Sequence, residues 1–357
     1  MKAVILTAGQ GTRLRPVTLT MPKSLVPVAN RPLIAYALDV LKNAGLTEIA
    51  IVVNDLDSPI VAQLGDGASL GVHLSYIAQS EQLGMAHAVG LCRDFVGDEP
   101  FVVLAGDNIF QDRMEQLLRS FPTSSAELAV ALIEVPDPER FGVAEIKDGR
   151  ITYVVEKSKN PPSNLAISGV YLFRKSIFEA IDNIKPSWRN ELEITDAIDY
   201  IIKQGHEVHP YKLRGWWIDA GKPDSIINAN QLILSDVPYI PAPNSNSHII
   251  GQSDVSPRVI LGENSQIEDS VVRGPVIIGN NVVIRNSYVG PYTSIGDNVV
   301  LENCEIEASI VMKNCAIRNI PGRIDSSLIA DNSQVSTAPH VPATRRFILA
   351  ENSYVQI

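Results

Sequence analysis

Aliphatic residues return every 17 positions in the last third of the chain, and few folds tolerate that spacing. Val255, Val272, Val289 and Ile306 form one series, Leu261, Ile278 and Ile295 a second, Ile267, Ile284 and Leu301 a third. Gly262, Gly279 and Gly296 keep the same step. The series interleave with gaps of 6, 6 and 5 residues, so each repeat offers three short strands with one inward aliphatic apiece. Such a coil buries its aliphatics only by stacking on the next, which is the logic of a three-sided β-helix. A helical reading fails, because Gly and Asn recur where helix formers should stand. The pattern blurs after Met312, and residues 324–329 read as one further irregular coil.

The rest of the chain is long enough for a second domain, since 357 residues favour two domains over one. At 45% hydrophobic and 20% charged residues, the chain can bury a sizeable core and is not expected to be disordered. The stretch 236–247, DVPYIPAPNSNS, reads as a linker. The expected organisation is therefore 1–235, a linker over 236–248, and a β-helix with a C-terminal tail over 249–357.

Net charge is 30 − 40 = −10, which argues against a protein that coats nucleic acid. It does not exclude a nucleotide substrate, because a local cluster of Lys and Arg can neutralise phosphates. No apolar run is long enough to span a membrane. The N-terminal residues lack a secretory pattern. Cys92, Cys304 and Cys315 are an odd set without C-x-x-C spacing, so neither disulfides nor structural zinc are expected, and a cytoplasmic location is.

Before the linker, strand-like and helix-like segments alternate. Residues 2–7 (KAVILT), 48–53, 72–78 and 101–105 (FVVLA) read as strands, 33–44 and 84–93 as helices. Unbroken apolar runs mark strands buried on both faces, so the expected class is α/β, a Rossmann-like, mostly parallel sheet with helices on both sides. After Ala126 strand signals crowd together at 128–135, 142–146, 151–156 and 167–173, and helical patterns follow at 194–203 and 223–234. This part reads as the second half of the same domain with a strand-rich substrate region inserted.

The chemistry-bearing residues cluster at strand ends. The first strand runs into Ala8-Gly9-Gln10-Gly11-Thr12-Arg13-Leu14-Arg15, followed by Pro22-Lys23. Glycines after a strand let backbone N–H groups approach phosphate oxygens, and Arg13, Arg15 and Lys23 beside them suit a triphosphate. The competing interpretation is a tight turn with solvated basic residues. The segment is neither a dinucleotide fingerprint nor a Walker A loop. Asp107 follows a buried strand through Gly106, where open α/β sheets bind ligands, and Asp219 repeats the strand–Asp pattern. The two form a candidate Mg²⁺ pair, since Mg²⁺ takes one or two carboxylates plus phosphate oxygens; a turn Asp before a helix is the plainer alternative. Glu156-Lys157 ends another strand and suits a second phosphate with sugar hydroxyls, or else an exposed ion pair. Gln79 carries both a donor and an acceptor for one edge of a base, and Gly84 permits close packing against it. No His sits at metal or triad spacing, and His87 is expected to face a helix surface.

Taken together these motifs resemble the sugar-nucleotide pyrophosphorylases, over about residues 1–235, and the repeats resemble that family's left-handed hexapeptide-repeat domain. The family opening, L-(A/G)-x-G-x-G-T-R-L-x-P-x-T then P-K-x-L-x-P-V, is matched by residues 6–18 and 22–28, with Thr7-Ala8 where many members have Ala-Gly. Gly106-Asp107-Asn108, Glu156-Lys157, Gly169-Val170-Tyr171, Glu193-Ile194-Thr195-Asp196 and Trp217-Ile218-Asp219 fall in family order. Gln79 and the run Leu83-Gly84-Met85-Ala86-His87-Ala88-Val89 look most like long-form glucose-1-phosphate thymidylyltransferases; Ser158 and Ala220 depart from that pattern.

The resemblance implies a Mg²⁺-dependent transfer from dTTP or UTP to a sugar-1-phosphate. It implies that Arg13 and Lys23 hold the triphosphate and its developing charge, and that Asp107 and Asp219 bind Mg²⁺. Gln79 and Gly84 would read the pyrimidine, while Leu6, Ala8, Gly9, Gly11 and Thr12 contact the nucleotide. Glu156, Gly142 and Thr195 would contact the sugar and Lys157 its phosphate, with Gly169, Val170 and Trp217 alongside. Nucleic acid and membrane are not expected partners; a homo-oligomer through the β-helix is. Three alternatives stay open. One is a bifunctional uridylyltransferase that also acetylates an amino sugar, although no His lies between His248 and His340 to serve as base. The others are a purine-nucleotide enzyme making ADP- or GDP-sugars and a non-catalytic regulatory relative.

Overall fold

The computed structural model describes residues 1–239 and 248–337. The centre of the expected linker, and the tail with His340, lie outside the described residues. The chain falls into two compact units, residues 1–10, 22–25 and 33–219 forming the first and 11–21, 26–32 and 220–357 the second.

The first unit is built on a nine-stranded sheet. Its centre is parallel: Lys2–Leu6 lies between Glu48–Val53 and Phe101–Ala105, and His73–Ala78 extends the Glu48–Val53 side. Alternate residues feed two separate cores. Val4, Val52 and Val103 pack on one face with Phe101 and Phe173, and Ile5, Ile51 and Leu104 pack on the other against helix Leu33–Asn43. Both faces are covered, so these strands read as continuous apolar runs rather than alternating ones. Beyond Phe101–Ala105 the sheet turns antiparallel through the long strand Leu165–Phe173. Its register breaks between Ile167 and Tyr171, and Gly169 at the break has φ +81°. Helices Pro59–Leu64, Glu115–Ser120 and Ser176–Asn183 were not anticipated. Two of them have only six residues, too few for a helical period to stand out.

The second unit contains three parallel sheets of short strands, with six, five and five members. This is the β-helix anticipated from the repeats. Ile267, Ile284, Leu301 and Ile317 stack along one wall with no exposed surface. Corners are turned by residues with left-handed backbone: Asn264, Asn281, Asn298, Asn314 and Asn332 have φ of 56°, 55°, 59°, 58° and 61°. Asn tolerates that region better than other residues with a Cβ. The side-chain amides also form a ladder, Asn281 to Asn298 to Asn314 to Asn332, at 3.2, 3.0 and 3.2 Å. Inside, hydroxyls repeat the device: Ser270 Oγ accepts the Ser287 N–H (3.1 Å) and Ser287 Oγ the Cys304 N–H (3.3 Å).

The coils run on past the point where the sequence pattern blurs, as far as strand Gln334–Ser336. The repeat arithmetic places Met312 opposite Ile295, yet Val311 pairs there, 16 residues on. The following coil restores the walls with an 18-residue step, Ile306 to Ile324. The lost residue and the added ones fall at corners, so the coil survives while the period does not.

Helix Pro223–Ser235 belongs to this unit and is tied to a coil by Asn230, which is fully buried. Asn230 Oδ1 accepts the Ala29 N–H (2.8 Å) and the Ser294 hydroxyl (2.6 Å), and Nδ2 donates to the Tyr292 carbonyl (2.9 Å). Asn230→Leu keeps the volume and strands two buried polar groups and one partly buried carbonyl. The expected loss is about 3 kcal/mol, each stranded group costing about 1 kcal/mol or more. Urea unfolding of the full chain checks it, and an unshifted midpoint would remove Asn230 as the tie.

Candidate active site

Two carboxylates are brought together by a small ribbon. Asn108–Phe110 pairs antiparallel with Trp217–Asp219, with Asn108 opposite Asp219. Asp107 immediately precedes the first strand, so it sits beside the end of the second. Gly106 makes this possible, because a Cβ there would lie 2.7 Å from Thr7 Cγ2 and 2.9 Å from Ile5 Cγ2. The ammonium of Lys23 bonds Asp107 Oδ2 and lies 3.5 Å from Asp219 Oδ1. Lys23 is thus held between the carboxylates, where the sequence had suggested only a triphosphate contact. Among the described residues no group of three or more His, Cys, Asp or Glu forms a metal cluster. The donor set nevertheless fits Mg²⁺: two carboxylates converge on one cation position, and substrate phosphates would complete the coordination.

A second group lies beyond strand His73–Ala78. Gln79 is buried, 5% exposed. Its Nε2 donates to the Gly84 carbonyl (3.1 Å) and lies 3.0 Å from His87 Nδ1. His87 is half-buried against Gln79 rather than facing out from a helix surface. Gly84 has φ +105°, and a Cβ there would approach the backbone nitrogen of Leu192 to 2.7 Å. The close approach is held by Leu192 N–H to Leu83 O (2.7 Å) and Ala86 N–H to Leu192 O (3.0 Å).

The third group gathers around Glu156. Gly142 pairs opposite Glu156, and a Cβ on Gly142 would come within 2.8 Å of Glu156 Oε2 and 2.9 Å of Thr195 Cγ2. Thr195 Oγ1 lies 3.5 Å from Glu156 Oε2, and Lys157 Nζ lies 3.1 Å from Oε1. Sequence reasoning missed Arg189, whose Nη1 lies 3.6 Å from Glu156 and 3.4 Å from Glu193 while lacking a hydrogen-bond partner. Its sequence signal was an Arg two and four residues ahead of Glu191 and Glu193. Burial pushes the Glu193 carboxyl above its ordinary range, against the opposing bond from the Ser187 hydroxyl at 2.9 Å. Trp217 packs edge-on to Phe141 at 5.3 Å, and its buried Nε1 lacks a partner. Asn108 Nδ2 donates to Ser168 O (2.8 Å), and Gly169 leaves that amide its room.

The remaining expected residues are placed singly. Leu6 ends the first strand, Ala8 is buried, and the space a Cβ would take on Gly9 is open. Val170 is buried in strand Leu165–Phe173. Gly11, Thr12 and Arg13 belong to the second unit, where Gly11 has φ +62° and its carbonyl accepts the Thr18 hydroxyl at 2.8 Å. The cysteines are buried; the Cys92 thiol is pushed up to about 12 by burial, and Cys304 and Cys315 are also raised by burial. None is a thiolate nucleophile.

A family model described as nucleotidyl transferase matches residues 2–236. The chain belongs to that family. A glucose-1-phosphate thymidylyltransferase of Streptomyces griseus is 41% identical over 358 residues, covering 100% of this chain and 99% of its own. Agl11 of Haloferax volcanii, a nucleotidyltransferase of low-salt glycan biosynthesis, is 43% identical over 362 residues, with 100% of both chains covered. A Bacillus anthracis protein assigned as a glucose-1-phosphate thymidylyltransferase, solved in complex with sucrose, has a TM-score of 0.62 at 40% identity over 67% of this chain and 97% of that one. This nucleotidyltransferase is an enzyme. No helix among its described residues is long and apolar enough to cross a membrane.

Proposed function

We propose that the enzyme transfers a thymidylyl or uridylyl group from dTTP or UTP to glucose-1-phosphate. The observation that carries the reading is the Lys23 ammonium held by Asp107 and Asp219. With a divalent cation on the two carboxylates, such a cluster would stabilise phosphoryl charge, and no general base is assigned. None is required: a sugar phosphate is already anionic near neutral pH. Its oxygen attacks the α-phosphorus in line, one P–O bond forms, and the bond to the β-phosphate breaks to release pyrophosphate. Lys23 stabilises the charge that builds on the phosphates. Lys157 and Arg189 hold the sugar phosphate, and Glu156 with Thr195 orients sugar hydroxyls in the space left by Gly142. Bound Mg²⁺ would be held by Asp107 and Asp219 and would supply charge neutralisation on phosphate oxygens. The full-length likeness to a glucose-1-phosphate thymidylyltransferase supports dTTP and glucose as first candidates.

The test is pyrophosphate release with Mg²⁺ over dTTP, UTP, ATP and GTP against glucose-, glucosamine-, N-acetylglucosamine- and mannose-1-phosphate. Turnover confined to dTTP or UTP with a gluco-configured phosphate is expected. Purine preference would keep the chemistry and discard the base assignment. Lys157→Ala is expected to raise KM for the sugar phosphate about tenfold while moving the nucleotide KM less, since one charged hydrogen bond is lost. Equal rises in both KM values would unseat Lys157 from the sugar phosphate.

A further inference from the structure

The Gln79 side chain is locked from two sides. Its amide nitrogen has two N–H groups and no lone pair to accept with. One faces the Gly84 carbonyl at 3.1 Å, the other His87 Nδ1 at 3.0 Å. The Gly84 carbonyl is itself fixed, because it accepts the Ala88 N–H (3.2 Å) and the segment is clasped by Leu192. Turning the amide over would set its oxygen against that carbonyl, two acceptors face to face, so the orientation is determined by the network. Nδ1 of His87 must then be the bare nitrogen, with the ring proton on Nε2. Both amide N–H groups are spent inside the protein. The amide oxygen has no partner among the described residues and is not a buried orphan, so it is the atom left for a ligand.

We infer that His87 is a positioning residue: in its Nε2–H tautomer it fixes Gln79 with the amide oxygen presented, and thereby selects, among pyrimidines, a base that offers a ring N–H. Uracil and thymine carry that donor at N3. Cytosine has a bare acceptor at N3 and would meet the Gln79 oxygen lone pair to lone pair. A free glutamine amide would turn and serve either base; the lock removes that choice, so specificity resides in the His87–Gly84 pair as much as in Gln79. This rests on the pyrimidine-nucleotide reading above.

The test compares wild type, His87→Leu and His87→Asn in the full chain, with UTP, dTTP, CTP, ATP and GTP at saturating glucose-1-phosphate, and with glucose-1-phosphate varied at saturating nucleotide. In His87→Leu the preference for UTP and dTTP over CTP is expected to narrow about tenfold, through nucleotide KM. Both kcat and the KM for glucose-1-phosphate should move less than about twofold. His87→Asn, which can turn an amide oxygen toward Gln79, should restore most of the preference. Long-range ¹H–¹⁵N correlation spectra of the wild type, with the His87 signal assigned by the variants, should show the Nε2–H tautomer. An Nδ1–H tautomer, or an unchanged preference in His87→Leu, overturns the inference alone. Wild-type turnover confined to purine nucleotides overturns the pyrimidine reading and this inference with it. The wild-type spectrum decides the tautomer even if His87→Leu fails to fold.

Discussion

Asp107→Asn should lose about a thousandfold in turnover and keep its fold, the scale seen when one preorganised electrostatic group is removed from a phosphoryl- or acyl-transfer site. Asn has the same shape and keeps a carbonyl oxygen, so the ribbon of Asn108–Phe110 with Trp217–Asp219 need not move. The charge is what disappears. Lys23 would be left with Asp219 at 3.5 Å as its remaining carboxylate in the pair, and a divalent cation would lose half of its protein ligands. The measurement is pyrophosphate release across a Mg²⁺ titration, with far-UV circular dichroism as the control for folding. Near-normal turnover at low Mg²⁺ would move the metal assignment away from Asp107.

Ile284→Asp is the corresponding experiment on the β-helix. Ile284 is wholly buried between Ile267 and Leu301 on one wall. The substitution removes an aliphatic worth about 2–3 kcal/mol of burial and puts a carboxylate among buried apolar side chains. The expected cost exceeds about 4 kcal/mol, enough to open the coils on either side, because each coil buries its aliphatics only against its neighbours. Hydrogen exchange over 248–336 should show lost protection centred on 267–301. Protection that stays at the wild-type level would mean the stack does not depend on that wall.

What the sequence made legible, and what it hid, divides along the range of the interactions. The walls of the β-helix were readable because inward Ile, Leu and Val repeat at a fixed step. The coils after Met312 were not, because Ala308 and residues 319–322 change corner lengths while the walls pair on. The central strands announced themselves through unbroken apolar runs. Asp107 and Asp219 were each visible as a strand followed by Asp, but their juxtaposition depends on a ribbon formed across more than a hundred residues. Lys23 was read as a phosphate contact, and the structure shows it engaged with both carboxylates. Arg189 escaped because its segment precedes a helix without a strand to mark it. The partly buried pairing of His87 with Gln79 escaped because a helix of six residues carries too little periodicity to say which face is covered.

The corner changes have a consequence for how such a chain can vary. One residue fewer at one corner and extra residues at the next leave the strand ladders aligned, so length differences are absorbed at the vertices of the triangle. A deletion inside a wall has no such outlet, since a one-residue slip there turns every inward side chain outward. Insertions and losses in related chains should therefore collect at the positions held by left-handed Asn, Ala and Ser, or come as whole rungs.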